Sequence, residues 1–116
     1  MDIAERLRKA ARRLSATCDE AIAGLEASGA VAHATNPLDY AWAHHEQFLD
    51  QWGGLGATTL LLGMNPGPWG MAQTGVPFGE IPAVRDWMGI SGHVGKPDPE
   101  HPKRPITGFS CERSEV

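Results

Sequence analysis

Apolar residues recur at three- and four-residue steps along the first quarter of the chain: Ile3, Leu7, Ala10 and Ala11, Leu14, Cys18, Ala21 and Ile22, Leu25. That spacing puts them on one stripe and predicts a single amphipathic helix over residues 3–27, with Gly29 as its stop. Arg6, Arg8, Lys9, Arg12 and Arg13 fall mostly off the stripe, as a solvated face does and as a phosphate-binding face also would. After a turn of small residues, Asn36-Pro37 opens a segment carrying Tyr40, Trp42, Phe48 and Trp52. Residues 39–51 read as a second helix ending at the Gly53-Gly54 break. Aromatics so spaced are more often core than stacking platform. His44 and His45 are adjacent, so on a helix they project about 100° apart and make a poor metal-ligating pair.

The pattern then changes. Thr58 to Leu62 is a short, uncharged run of β-branched and leucine residues, which predicts a strand buried on both faces. At Gly63 the run gives way to glycine and proline, and Pro66 and Pro68 bar the loop from ladder or helix. The expected result is a stiff loop at the carboxyl end of a strand, presenting the carboxamide of Asn65. In open α/β sheets ligands bind in that crevice, although Gly/Pro loops are also common as plain turns. A phosphate-cradling P-loop is excluded, because no Gly-Lys-Ser/Thr follows. Downstream, Pro82 and Gly89 bracket a short helix with Val84, Trp87 and Met88 on one face. Residues 91–105 read as an irregular surface excursion. Its Lys103-Arg104 pair is compatible with a phosphate contact and equally with an exposed loop.

Composition adds bounds. At 116 residues with 41% hydrophobic content, one small domain at most is expected, and 14 Gly with 9 Pro make much of it loop. A net charge of −4 argues against a strongly basic nucleic-acid coat. Cys18 and Cys111 are too few for a disulfide framework or a four-cysteine metal site, so no metal and no cofactor is expected. No run of eighteen apolar residues is present and the N-terminus lacks a signal-peptide core, so no membrane partner is expected and the cytoplasm is the default compartment (the nucleus in a eukaryote).

Gly63-Met-Asn-Pro-Gly-Pro-Trp-Gly-Met-Ala-Gln-Thr-Gly-Val-Pro-Phe-Gly79 closely resembles the first active-site motif of the single-strand-selective monofunctional uracil-DNA glycosylases. The resemblance extends to Asn36-Pro-Leu-Asp-Tyr-Ala-Trp42, Val84-Arg-Asp-Trp-Met-Gly-Ile90 and Glu100-His-Pro-Lys-Arg-Pro105, and covers roughly residues 36–116. Trp69 departs from it, standing where the family usually carries Phe. The family resemblance implies an α/β fold: an α/β/α sandwich with a central parallel sheet, present here only as its first half. Residues 1–116 are therefore expected to form a partial domain, a truncated copy that self-associates or unfolds in part when isolated.

The same resemblance implies a DNA repair enzyme that hydrolyses the N-glycosidic bond of uracil, and of 5-substituted uracils such as 5-hydroxymethyluracil, in a flipped-out nucleotide. Its partner would be uracil-containing DNA, single- or double-stranded. Asn65 would position the water; a carboxamide accepts a hydrogen bond from water without being a true base, which suits a dissociative path. Phe78 would stack on the base, with plain apolar packing as the alternative. The Met64 backbone would lie against the base. Gly67, where another branch carries a Tyr that excludes thymine, would leave room at C5 with Met71 nearby. The second family motif, His-Pro-Ser-Pro, and a separate uracil-reading Asn are absent from the sequence, and His101-Pro-Lys-Arg-Pro105 aligns with a different segment. A non-catalytic or vestigial nucleic-acid-binding fragment is the alternative function.

Overall fold

The computed structural model describes residues 1–115. Helix α1 spans Ile3–Ala27, and the Asp2 side chain caps it by accepting the Glu5 N–H at 2.8 Å. It ends as expected, with Gly29 in the left-handed region at φ 75°. The aromatic segment forms two helices rather than one: α2 (Pro37–Tyr40) and α3 (Trp42–Trp52), interrupted at Ala41. Asn36 explains the early start. Its Oδ1 accepts the Leu38 N–H at 3.1 Å while Nδ2 donates to the Ser15 carbonyl and hydroxyl, each at 3.0 Å, pinning α2 to α1. A one-turn helix α4 (Met71–Thr74) follows the glycine–proline loop. A π-helical turn at Ala83–Trp87 and a 3-10 turn at Gly108–Ser110 complete the helices.

The expected strand at 58–62 is absent, and with it the central parallel sheet: among the described residues there is no strand at all, and the α/β/α sandwich is not seen. Leu60, Leu61 and Leu62 are 85, 74 and 88% exposed. An apolar, β-branched run signals burial in a sheet, but a strand exists only through a ladder with a neighbour, and no described segment lies alongside. The remaining chain is helical or rich in Gly and Pro, so it offers no such neighbour. The run is left as an open apolar segment of the kind that favours association.

The buried stripe of α1 is also displaced by about one residue from the expected one. Ala4, Arg8, Ala11, Ser15, Cys18 and Ile22 turn inward, whereas Ile3, Leu14 and Leu25 stay exposed. Two basic residues cause the rotation. Arg8 pairs with Asp50 of α3, and the Arg12 guanidinium lies 3.8 Å over the centre of the Trp42 ring. These two cations fasten helix to helix, a use that neither the solvated nor the phosphate-binding reading contained. Trp87 differs from expectation as well, since it is 82% exposed while Val84 is fully buried. A five-residue hydrogen-bond period rotates residues three apart off a common face.

Val76, Val84 and Ile90 form the core, with Phe48, Trp52, Met88 and Phe109 packed against them. Two buried histidines tie α3 to the α4 turn. His44 spans the carbonyls of Thr74 and Gly92 at 2.9 Å each, and His45 Nδ1 lies 2.9 Å from the Gly75 carbonyl. The pair is structural. Burial holds the His45 imidazole below its ordinary pKa range, against the opposing pull of the Gly75 bond. A lowered folded-state value means that the unfolded chain binds the extra proton first. The His45 contribution is thus full above the ordinary histidine value near pH 6.5 and is lost as pH falls below it. The unfolding free energy should fall on acidification through that window, by no more than about 1.4 kcal/mol per pH unit for one proton, and the melting temperature should fall with it. The His45→Gln variant should lose that part of the slope; an unchanged profile would remove His45 as its source.

Candidate active site

The loop after Leu62 is shaped by its glycines and prolines, then fastened from outside. Gln73 does most of the fastening. Fully buried, it donates from Nε2 to the carbonyls of Pro68 at 3.0 Å and Pro105 at 2.8 Å. Its Oε1 accepts the N–H groups of Thr107 at 2.9 Å and Gly108 at 3.0 Å. All four hydrogen-bonding sites of the amide are filled, joining the loop to the 105–108 segment. Tyr40 adds a second tie by donating to the Ala72 carbonyl at 2.6 Å, and burial pushes its pKa up to about 12. Its hydroxyl stays protonated and a donor at any ordinary pH.

Asn65 is exposed on this loop. Its Nδ2 donates to the Pro66 carbonyl at 3.0 Å, which fixes the amide orientation. Oδ1 has no partner among the described residues and is free to accept. Asn65 lines a cleft of about 220 Å³ together with Thr35, Pro66, His33, His101 and Arg104. Those last three arrive from two distant segments.

The other candidates are not gathered in that cleft. Met64 is 96% exposed. Phe78 is 68% exposed and lies across Gly63: a Cβ at Gly63 would meet the ring Cζ at 3.1 Å. Phe78 has φ 57°, the one non-glycine among the described residues in the left-handed region. That conformation is costly for an aromatic residue and persists only where the surroundings dictate it. Here they do. The Gly79 N–H donates to the Val76 carbonyl at 2.8 Å, Thr74 Oγ1 donates to the Gly79 carbonyl at 2.9 Å, and a Cβ on Gly79 would come within 2.6 Å of the Val76 carbonyl oxygen. The turn turns an apolar ring outward against the tendency of apolar groups to bury.

Met71 is half-buried at the start of α4. Beside Gly67, the Glu115 carboxylate fills the space a side chain would need, with Oε1 only 2.6 Å from a Cβ built there. The same oxygen accepts the Trp69 N–H at 2.8 Å, and the Arg113 guanidinium covers the Trp69 ring at 4.5 Å. The larger aromatic at position 69 is thus accommodated as a platform for residues 113–115. Sequence reasoning singled out neither Gln73 nor Glu115. Gln73 lay within the matching motif but gave no sign of its partners.

No described helix is long and apolar enough to cross a membrane. No family model matches the chain. Curated proteins do match: 81 residues are 57% identical to a rat protein (Rattus norvegicus) and 56% identical to a mouse protein (Mus musculus), covering 70% of this chain and 29% of each of those proteins. A further 92-residue match is 51% identical to a bovine protein (Bos taurus), over 79% of this chain and 34% of that one. Identity at this level runs over most of this chain and over part of each of the three proteins, whose names are those of uracil-DNA glycosylases. All three relatives are named, more narrowly, single-strand-selective monofunctional uracil-DNA glycosylases, and this chain is similar to a part of each. It spans about a third of their length or slightly less.

Proposed function

We propose that residues 58–80 form the water-positioning and base-stacking part of a monofunctional glycosylase that removes uracil from DNA. Asn65 carries the proposal, as a cleft-lining residue whose carboxamide is oriented by its own loop and keeps a free acceptor. Hydrolysis of an N-glycosidic bond needs a water placed against the anomeric carbon and a partner to hold the departing base as an anion. Asn65 meets the first need by accepting from the water at Oδ1. Phe78, held outward by a strained turn, offers a ring to a base taken out of the stack. Uracil and 5-substituted uracils are the proposed substrates, with the C5 side beside Gly67. The Glu115 carboxylate must then swing aside as the base enters, which its flexible end permits. The setting would be the nucleus or cytoplasm, wherever the DNA is.

One observation favours a second reading, that of a nucleic-acid-binding segment without chemistry. Met64 and Phe78 both stand open to solvent rather than enclosing a space between them and the rest of the loop, at 96 and 68% exposed. The experiment separating the readings is a chimera in which this chain replaces the matching segment of the rat relative. Uracil release from single-stranded DNA is expected from the chimera and not from residues 1–116 alone, because catalytic groups that act as a unit fail together. A silent but folded chimera would favour the second reading.

A further inference from the structure

Besides Asn65, the cleft is lined by three nitrogen-bearing side chains and by no carboxylate. His33 comes from the connection between α1 and α2, while His101 and Arg104 come from one tight turn in the irregular segment. The turn is closed by the Arg104 N–H donating to the His101 carbonyl at 3.1 Å. Within it, the Lys103 N–H donates to His101 Nδ1 at 3.0 Å. A backbone N–H can only donate, so Nδ1 is the acceptor and the ring proton sits on Nε2, as a donor. The His33 ring packs against it, with centroids 5.1 Å apart. The Arg104 guanidinium makes no hydrogen bond or ion pair among the described residues. The nearest acid in sequence is already committed: Glu100 lies 3.4 Å from the Lys96 ammonium and accepts the Ile106 N–H at 3.0 Å.

We propose that His33, His101 and Arg104 form an anion site on the Asn65 cleft that grips a backbone phosphate of the strand being repaired. The proposal rests on the glycosylase reading for the identity of that strand. A guanidinium with an unfilled fork of donors suits a phosphodiester oxygen pair, and an imidazole N–H adds a third donor. The local sign matters because the chain as a whole is acidic, at net charge −4, and would otherwise repel DNA. Bracing a phosphate next to the carboxamide would also fix where the attached sugar stands relative to the Asn65 water. The Lys103-Arg104 pair, ambiguous in sequence, thereby divides: Arg104 lines the cleft and Lys103 does not.

The test measures binding of the full chain to a single-stranded oligonucleotide carrying one non-cleavable 2′-fluoro-deoxyuridine, across a salt series. Arg104→Gln should weaken binding about threefold to tenfold at low salt and lower the slope of log K against log salt by roughly 0.7, the release expected for one phosphate contact on a single strand. Arg104→Lys should restore the slope, and His101→Gln should weaken binding in the same direction. A neutral methylphosphonate at a phosphate flanking the uridine should weaken wild type and leave Arg104→Gln unaffected. An Arg104→Gln slope equal to wild type would overturn the site. Arg104-dependent competition by inorganic phosphate, with no methylphosphonate effect at any position, would assign it to free phosphate and overturn the strand contact. The same series on a thymine strand separates the two ideas. Lost preference for uracil with the Arg104 slope intact would defeat the glycosylase reading alone.

Discussion

Asn65→Ala, made in the chimera with the rat relative, is expected to lower single-turnover release of uracil about a hundredfold or more while leaving DNA affinity nearly unchanged. The scale is that of removing one preorganised polar group from a catalytic site. The selectivity of the effect follows from geometry. Asn65 is exposed, makes its one hydrogen bond to the adjacent Pro66 carbonyl and supports no other element, so alanine there removes an acceptor without loosening the fold. Asn65→Asp should retain part of the rate, since a carboxylate also accepts from water. Wild-type cleavage by Asn65→Ala would remove this residue from the mechanism. Equal losses in affinity and rate would make it a binding residue.

Gln73→Leu should be the most damaging single change to the scaffold. Leucine fits the volume but leaves the carbonyls of Pro68 and Pro105 and the N–H groups of Thr107 and Gly108 without their partner. A buried backbone group so orphaned costs about 1–3 kcal/mol, and of the four only the Gly108 N–H is fully buried, so water reduces the cost at the other three. A total on the order of 4 kcal/mol is a large share of the roughly 5–15 kcal/mol that stabilises a typical small domain. Denaturant midpoints of wild type and variant in the same chimera would measure it. A shift below about 1 kcal/mol would mean that water replaces the amide and that the loop is held by other means.

These two residues mark how far the sequence could be read. Helix α1 was legible to within a residue at both ends, because a sustained 3.6-residue period and a glycine stop are local signals. Its buried face was less legible, since Arg8 and Arg12 turned it toward Asp50 and Trp42, partners on another helix. The leucine run at 60–62 was misread as a sheet strand. Local composition reports what a segment would prefer to bury, whereas a ladder requires a neighbour, and none is present among the described residues. Asn65 stood out through its loop chemistry and the motif resemblance. Gln73 did not, because its four partners lie at positions 68, 105, 107 and 108 and no sequence period links them. The strained backbone at Phe78 was equally hidden, although Gly79, the residue that makes the turn possible, was in plain view.

The base pocket itself is tested most directly by Gly67→Tyr in the chimera, assayed on strands containing uracil and 5-hydroxymethyluracil. A tyrosine there displaces the flexible end of Glu115 and sets a ring on the side assigned to C5. Exclusion by clash acts on the larger substrate first. Release of 5-hydroxymethyluracil is expected to fall at least tenfold further than release of uracil, a difference of about 1.4 kcal/mol in the barrier. Equal losses on the two substrates would contradict it and would mean that no base sits beside Gly67.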